Sequence, residues 1–169
     1  KFLRTSGIIQ DDPARGLEHP KFENKPPRIL SELEYRALRD VARSDLRMFA
    51  IIELFLQTGT RIGELSKITL EDITLEGPTP SLHINLAEGA VERTIPLNKP
   101  AVEALKRYLE VRPQNQNGQT SVSKTLFVTK TGKPLLIRNI RTAIDRYFRL
   151  AGITGAKVND LRHTWIAHH

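Results

Sequence analysis

One segment that is apolar on nearly every side constrains the fold of this chain most. Residues 45–58 read DLRMFAIIELFLQT, and apolar side chains occupy most positions on every face of the helix that this segment predicts. A helix of this kind is stable only when other elements surround it. Gly59 follows directly and is expected to end the helix at its C-terminus. The segment therefore predicts a central helix around which the rest of the domain packs.

Patterns before and after this segment predict a helix and a β-hairpin. Ser31 and Glu34 have the spacing of a capping box, which predicts that a helix and a domain begin there. Residues 82–86 and 91–97 alternate apolar and polar side chains on either side of a turn at 87–90, as the strands of a hairpin do.

Four further helices are predicted from their first residues and their periodicity. Thr60 is expected to cap a short helix over 61–68, and Asn159 to cap the last one. Asn98 and Pro100 open another helix. A fourth, over about 136–151, turns an apolar face that includes Ile137 toward the core.

The charge of the chain favours a polyanionic partner. Lysines and arginines number 26 against 19 aspartates and glutamates, so the net charge is +7 and the pI is near 9.9. Nucleic acid is the commonest soluble partner of such a domain, although ribosomal proteins, membrane-surface proteins and basic enzymes share the balance. There are no cysteines, which excludes disulfides and thiolate chemistry. The longest apolar stretch is too short to cross a bilayer.

Four arginines lie on the polar face of the helix predicted over 136–151. At about 100° per residue they fall together, opposite the apolar stripe, with Asp145 between them. They are Arg138, Arg141, Arg146 and Arg149. Such a face is either solvated or aligned with nucleic-acid phosphates, and the periodicity leaves both interpretations open.

Two more arginines are predicted in the first turns of helices. Arg61 follows Thr60 and Arg162 follows Asn159, so each cation meets the positive end of a helix dipole at a cost of about 0.3–1 kcal/mol. An anion bound between each arginine and the free backbone N–H groups would remove that cost. Both arginines can also be exposed at helix ends, where the cost is small.

The order of several segments resembles the tyrosine recombinases, the phage integrase family. Residues 55–65, FLQTGTRIGEL, are similar to the arginine box of that family, and residues 159–164, NDLRHT, to its second box. Residues 92–97, ERTIPL, resemble the end of its basic hairpin, and residues 151–153, AGI, what precedes the second box.

The resemblance implies an α+β fold that is predominantly helical, with a small antiparallel β-sheet, on duplex DNA. It implies DNA cleavage and rejoining through a 3′-phosphotyrosine, without a metal or another cofactor. It also implies further recombinase protomers as partners on the DNA and a cytoplasmic, nucleoid-associated location. Arg61 and Arg162 match the two catalytic arginines, and Glu64 is expected to orient Arg61. Further expected DNA contacts, besides the four arginines of the polar face, are Arg93 and His163.

The domain division follows from the same resemblance. Residues 1–29 carry four prolines among polar neighbours, which is typical of an extended linker. They resemble the linker after the N-terminal DNA-clamping domain of the family. We expect residues 30–169 to be a catalytic domain that is incomplete at its C-terminus.

Two positions depart from the family pattern. Glu88 stands where the family has a catalytic lysine, and a glutamate can protonate a leaving oxygen only if its pKa is raised. Asn159 stands where a histidine is usual, and an amide can bind a phosphate oxygen but cannot transfer a proton. Lys130 or Lys133, in a later turn, are alternative lysines for the site.

No tyrosine of the chain matches the nucleophile of the family. Tyr35, Tyr108 and Tyr147 all precede the second box, and the latter two lie on apolar helix faces. We therefore expect the chain as given to form no covalent adduct with DNA. His163, His168 and His169 do not have the spacing of a helical metal site, so we expect no metal.

Three interpretations remain after the sequence alone. The chain is part of an active recombinase, or it is a degenerate relative that binds DNA without cutting it. The third interpretation is a basic helical domain with another partner, and under it the matching order of the segments would be a coincidence.

Overall fold

A computed structural model describes residues 2–10, 16, 26–85, 92–114 and 122–168. Within these ranges the chain forms helices and one three-stranded sheet. The helices are α1 (Phe2–Thr5), α2 (Glu32–Ala42), α3 (Leu46–Thr58), α4 (Ile62–Leu65), α5 (Lys99–Val111), α6 (Ile137–Leu150) and α7 (Val158–His168), with a 3-10 turn at Leu70–Asp72. The strands are β1 (Ile73–Thr74), β2 (Ser81–Ile84) and β3 (Arg93–Pro96).

Helix α3 lies at the centre of the domain, as its composition predicts. Helices α2, α5, α6 and α7 all contact it, and its side chains from Ala50 to Leu56 are buried. Asp45 caps its start by accepting a hydrogen bond from the Met48 N–H. Gly59 ends it in the left-handed conformation, with φ of 58°. The prediction for this segment is confirmed at both ends.

The sheet is antiparallel, in the order β1-β2-β3. Leu82 pairs with Ile95, and His83 with Thr94, which is the register of the predicted hairpin. The turn predicted at 87–90, with Glu88, lies outside the described residues. Strand β1 was not predicted, because two residues are too few to show an alternating pattern.

Two of the predicted caps are wrong: in both cases a basic residue precedes the helix, and its backbone N–H donates to an acidic side chain of the first turn. Arg61 itself holds the cap position of α4, and its backbone N–H donates to the Glu64 carboxylate, whereas Thr60 is buried. Helix α7 begins at Val158, ahead of Asn159, and the Asp160 carboxylate accepts from the Lys157 N–H.

The apolar face of α6 is also narrower than expected. Ile137 is predicted to face the core, but 39% of it is exposed. It is the first residue of α6 and lies at the rim of a cleft rather than under another element.

The residues that precede α2 are attached to the other end of the domain. The Leu30 N–H donates to Thr164 Oγ1 on α7 at 2.9 Å, and Leu30 is buried. Arg28 donates to the carbonyl of Thr154 and to Glu34. Further upstream, the prediction of an extended segment is wrong for α1, which is a helix of four residues. After this helix, the Ser6 hydroxyl donates to the carbonyl of Phe2.

We expect Gly59→Ala to destabilise the domain strongly. A Cβ at this position would overlap the ring of Trp165, and the left-handed backbone itself disfavours alanine. Together these effects should cost about 2–4 kcal/mol of unfolding free energy. Denaturant unfolding measures the loss, and Gly63→Ala is the matched control, because a Cβ there meets nothing within 4 Å. Equal stability of the two variants would contradict the packing described here.

Candidate nucleic-acid interface

The two segments that carry Arg61 and Arg162 meet at one cleft of about 870 Å³. The end of α3 and the short α4 bring Arg61, and the second turn of α7 brings Arg162. The cleft is open, and eight of its eleven lining residues are polar or charged. The lining residues are Arg61, Ile62, Gly63, Glu64, Lys67, Asn85, Ile137, Arg141, Asn159, Arg162 and His163.

Glu64 is the structural centre of this cleft. Its carboxylate accepts hydrogen bonds from the Arg61 backbone N–H at 2.7 Å and from Arg61 Nη1 at 3.1 Å. Arg93 on β3 approaches from the other side and donates through both terminal nitrogens, at 3.1 and 2.8 Å. One buried carboxylate thus holds two guanidinium groups, and Arg61 remains 60% exposed toward the cleft.

The charge of Glu64 is secured by these donors. Burial alone would raise the pKa of this carboxyl group, but the hydrogen bonds and charge of Arg93 and the hydrogen bonds from Arg61 outweigh burial. They lower the pKa of Glu64 to about 2. The carboxylate is therefore ionised at neutral pH and offsets the cost of placing two arginines together.

Arg162 is fixed by a different contact. Its Nη1 donates to the carbonyl of Gly59, the residue that ends α3. The side chain is half-buried, and burial together with the nearby charge of Arg61 lowers the pKa of the Arg162 guanidinium. Arg162 is the fifth residue of α7, so it lies further from the helix N-terminus than the sequence predicted.

Asn159 and His163 lie on the same side of α7 as Arg162. Both line the cleft, and Asn159 is exposed. His163 Nδ1 is buried and lies 3.4 Å from Asp160 Oδ1, without the geometry of a hydrogen bond. The candidate residues of the second box therefore share one surface with those of the first.

The four arginines of α6 do not all face this cleft. Arg141 lines it, whereas Arg146 borders a separate cleft beside Asp45, and Arg149 borders that one and a third cleft beside Gly155. All four are exposed. Arg146 lies five positions after Arg141, so their directions differ by about 140° around the helix axis.

None of the three tyrosines lines the cleft. Tyr108 is buried, donates to the Leu126 carbonyl and accepts from the Val128 N–H. Tyr147 is buried beside Asp45, and Tyr35 lies in another pocket near Trp165. The expectation that Tyr108 and Tyr147 belong to the core is confirmed.

Two polar cleft residues were missed in the sequence. Lys67 and Asn85 line the cleft beside the arginines. Lys67 follows α4 at a position without periodicity, and Asn85 follows β2, so only the folded chain brings them to the site. Lys130, an alternative lysine, borders the separate cleft beside Arg47.

The described ranges hold no cluster of three potential metal ligands among histidines and acidic residues. No helix in them has both the length and the apolar composition needed to span a bilayer.

The fold and the cleft define a mostly helical α+β domain in which arginines from two separate segments surround one open, cationic cleft. The model of the family described as "Phage integrase family" matches residues 27–168, and the chain belongs to this family, whose members are tyrosine recombinases. The resemblance stated from the sequence is confirmed.

Curated relatives agree with this assignment. The chain is 36% identical over 170 residues to tyrosine recombinase XerC of Staphylococcus carnosus, covering 95% of this chain and 55% of the relative. It is 32% identical over 172 residues to tyrosine recombinase XerC of Corynebacterium glutamicum, covering 99% of this chain and 54% of the relative. The chain thus spans about half the length of these relatives.

Solved structures share the fold. The XerA recombinase superposes with a TM-score of 0.73 at 28% identity, over 85% of this chain and 51% of that one. A lambda integrase dimer bound to a COC′ core site superposes with a TM-score of 0.73 at 19% identity, over 98% and 60% of the two chains. The predicted fold class, helical with a small antiparallel sheet, is confirmed.

We expect the ion pairs of Glu64 to make stability depend on acid pH. The folded pKa of about 2 lies below the ordinary value of 4.5, so the contribution is complete above about pH 4.5 and is lost as pH falls through 2. The shift corresponds to roughly 3 kcal/mol. Glu64→Gln should lower the unfolding free energy at pH 7 and flatten its fall between pH 4.5 and 2.

Unfolding in denaturant over this pH range measures both effects. Glu71→Gln is the control, because Glu71 pairs with Lys124 on the surface, where 76% of its side chain is exposed. If both variants follow the wild-type pH profile, Glu64 does not carry the stabilisation assigned to it.

Proposed function

We propose that this chain supplies the DNA-binding catalytic surface of a site-specific recombinase that cleaves and rejoins DNA strands through a 3′-phosphotyrosine. One observation carries the proposal. Arg61 and Arg162, from segments about a hundred residues apart, line one open cleft and are each fixed by a contact within the fold. Strand transfer places negative charge on the non-bridging oxygens of a phosphodiester, and fixed cations stabilise that charge.

The supports of the two arginines fit this role. Glu64 holds Arg61, and the Gly59 carbonyl holds Arg162, so little rearrangement is needed when a phosphate binds. A guanidinium also matches two phosphate oxygens at once. The curated relatives are named as tyrosine recombinases, which supports the same chemistry for this chain.

We assign the remaining candidate residues by their place around the cleft. Asn159 is proposed to hydrogen-bond a phosphate oxygen and His163 to contact the DNA. Arg93 is proposed to act mainly through Glu64, because both of its terminal nitrogens already contact that carboxylate. Glu88, in the segment between β2 and β3, is proposed to occupy the position at which the family has its catalytic lysine.

Partners, domains and location follow from the proposed activity. Duplex DNA is the substrate, and other recombinase protomers are the partners on it, as with the lambda integrase dimer bound to a core site. No cofactor or membrane is part of the proposal. Residues 1–29 are proposed as the linker from a core-binding domain, 30–169 as the catalytic domain, and the cytoplasmic nucleoid as its location. The nucleophile is proposed to be a tyrosine other than Tyr35, Tyr108 and Tyr147.

A second candidate function is DNA binding without cleavage. The observation that favours it is Asn159, which lies in the cleft and cannot transfer a proton. Both functions require the same phosphate-binding cleft and differ in whether a strand is cut. Trapping on a nicked duplex, with a chain that includes a nucleophile, separates them.

We expect this chain to bind duplex DNA with an affinity that falls steeply with salt. Removing one phosphate contact should reduce the slope of log K against log salt by about 0.9. Arg61→Ala and Arg162→Ala should each show this reduction. Arg36→Ala is the control, because Arg36 pairs with Glu32 on the exposed side of α2. Titration of labelled duplex at several salt concentrations measures the slopes, and identical slopes for all three variants would refute the phosphate site.

We expect the arginines of α6 to contribute unequally to DNA binding. Arg141 shares the cleft with Arg61 and Arg162, whereas Arg146 borders the separate cleft beside Asp45, on another side of the helix. Arg141→Ala should therefore lower the slope of log K against log salt by about 0.9, the amount of one phosphate contact, and Arg146→Ala should lower it by less. The two variants remove the same charge from the same helix, so a larger effect of Arg146→Ala would place the DNA on the other side of α6.

A further inference from the structure

Lys67 is the one described lysine that lines the arginine cleft. It lies two residues after α4, and its backbone N–H donates to the Glu64 carbonyl at 2.9 Å. The backbone of Lys67 is thus hydrogen-bonded to Glu64, whose carboxylate binds Arg61 and Arg93. The side chain itself is exposed.

The charge of Lys67 has no partner among the described residues. Three other exposed lysines have one, since Lys99 pairs with Glu103, Lys106 with Glu76 and Lys124 with Glu71. Lys130, Lys133 and Lys157 are exposed and unpaired within the described ranges as well, but none of them lines the arginine cleft. No carboxylate of the described ranges lies within ion-pair distance of the Lys67 amine.

The charges that line the cleft do not balance. Its described lining carries four cations, Arg61, Lys67, Arg141 and Arg162, and one carboxylate, Glu64. Glu64 is already shared by Arg61 and by Arg93. A cleft lined by one sign of charge concentrates its field and attracts an ion of opposite sign.

The part of the chain from α2 to β3 offers no other amine. Lys67 is the sole lysine between positions 26 and 98. The residues that join β2 to β3, 85–92, contain Glu88 and Glu92 and neither lysine nor arginine. An ammonium group that reaches the cleft from residues 26–98 must therefore be that of Lys67.

We propose that the Lys67 ammonium binds the same phosphodiester as Arg61 and Arg162 and is the third cation of the site. The inference rests on the proposed function and adds a residue to it. An ammonium is a compact charge with three donors, so it can complete the shell around a phosphate whose other oxygens face the planar arginine forks.

Chemical labelling of the wild-type chain tests the contact directly. Reductive methylation of lysines, followed by peptide mass spectrometry, is carried out with and without a mixed-sequence duplex. Bound DNA should slow the modification of Lys67 and leave that of Lys99, which is 87% exposed on α5, unchanged. Equal rates at Lys67 with and without bound DNA would overturn the proposal.

Variants test the energetic contribution. Lys67→Ala should weaken duplex binding. The ratio of the wild-type binding constant to that of the variant should fall about threefold between 50 and 200 mM salt, as the loss of one phosphate contact requires. Lys67→Arg should retain most of the salt slope because the charge is kept. Lys99→Ala is the matched control and should bind as wild type does.

The outcomes separate this inference from the proposed function. If Arg61→Ala and Arg162→Ala reduce the salt slope while Lys67→Ala behaves as Lys99→Ala, the phosphate site stands and Lys67 is not part of it. If none of these variants alters the slope, the proposed function itself fails.

Discussion

The buried carboxylate of Glu64 is the interaction on which the candidate site depends. It accepts hydrogen bonds from the Arg61 backbone, from the Arg61 side chain and from both terminal nitrogens of Arg93. Because β3 supplies Arg93 and α4 supplies Glu64, this cluster also attaches the small sheet to the helical core. Without the carboxylate, two guanidinium groups would share a partly buried space with no opposite charge, which is strongly unfavourable.

Gly59 links the core of the domain to the same site. Its left-handed backbone ends α3, and its missing side chain leaves room for the ring of Trp165 on α7. Its carbonyl accepts from Arg162. The position of one cleft arginine thus follows from how the buried central helix ends, and a residue with no functional group of its own sets the geometry of the site.

The sequence predicted the features that local patterns encode and missed those that depend on packing. The burial of α3, the capping box of Ser31 and the antiparallel pairing of β2 with β3 follow from periodicity and cap chemistry, and the structure confirms them. Arg61 and Arg162 were found because their segments resemble the two boxes of the family. Lys67 and the bidentate contact between Arg93 and Glu64 were not, because elements distant in sequence create them.

The attachment of Leu30 to Thr164 places the start of the domain next to its functional helix. Arg162 and Thr164 are two residues apart in α7, so one hydrogen bond and half a helical turn separate the backbone at position 30 from a cleft arginine. Fraying of residues 26–31 therefore removes an anchor of α7 itself. The ordering of residues 26–31 and the placement of Arg162 are in this way thermodynamically linked. An interaction that orders the residues before position 30 therefore also stabilises the position of the Arg162 guanidinium at the cleft.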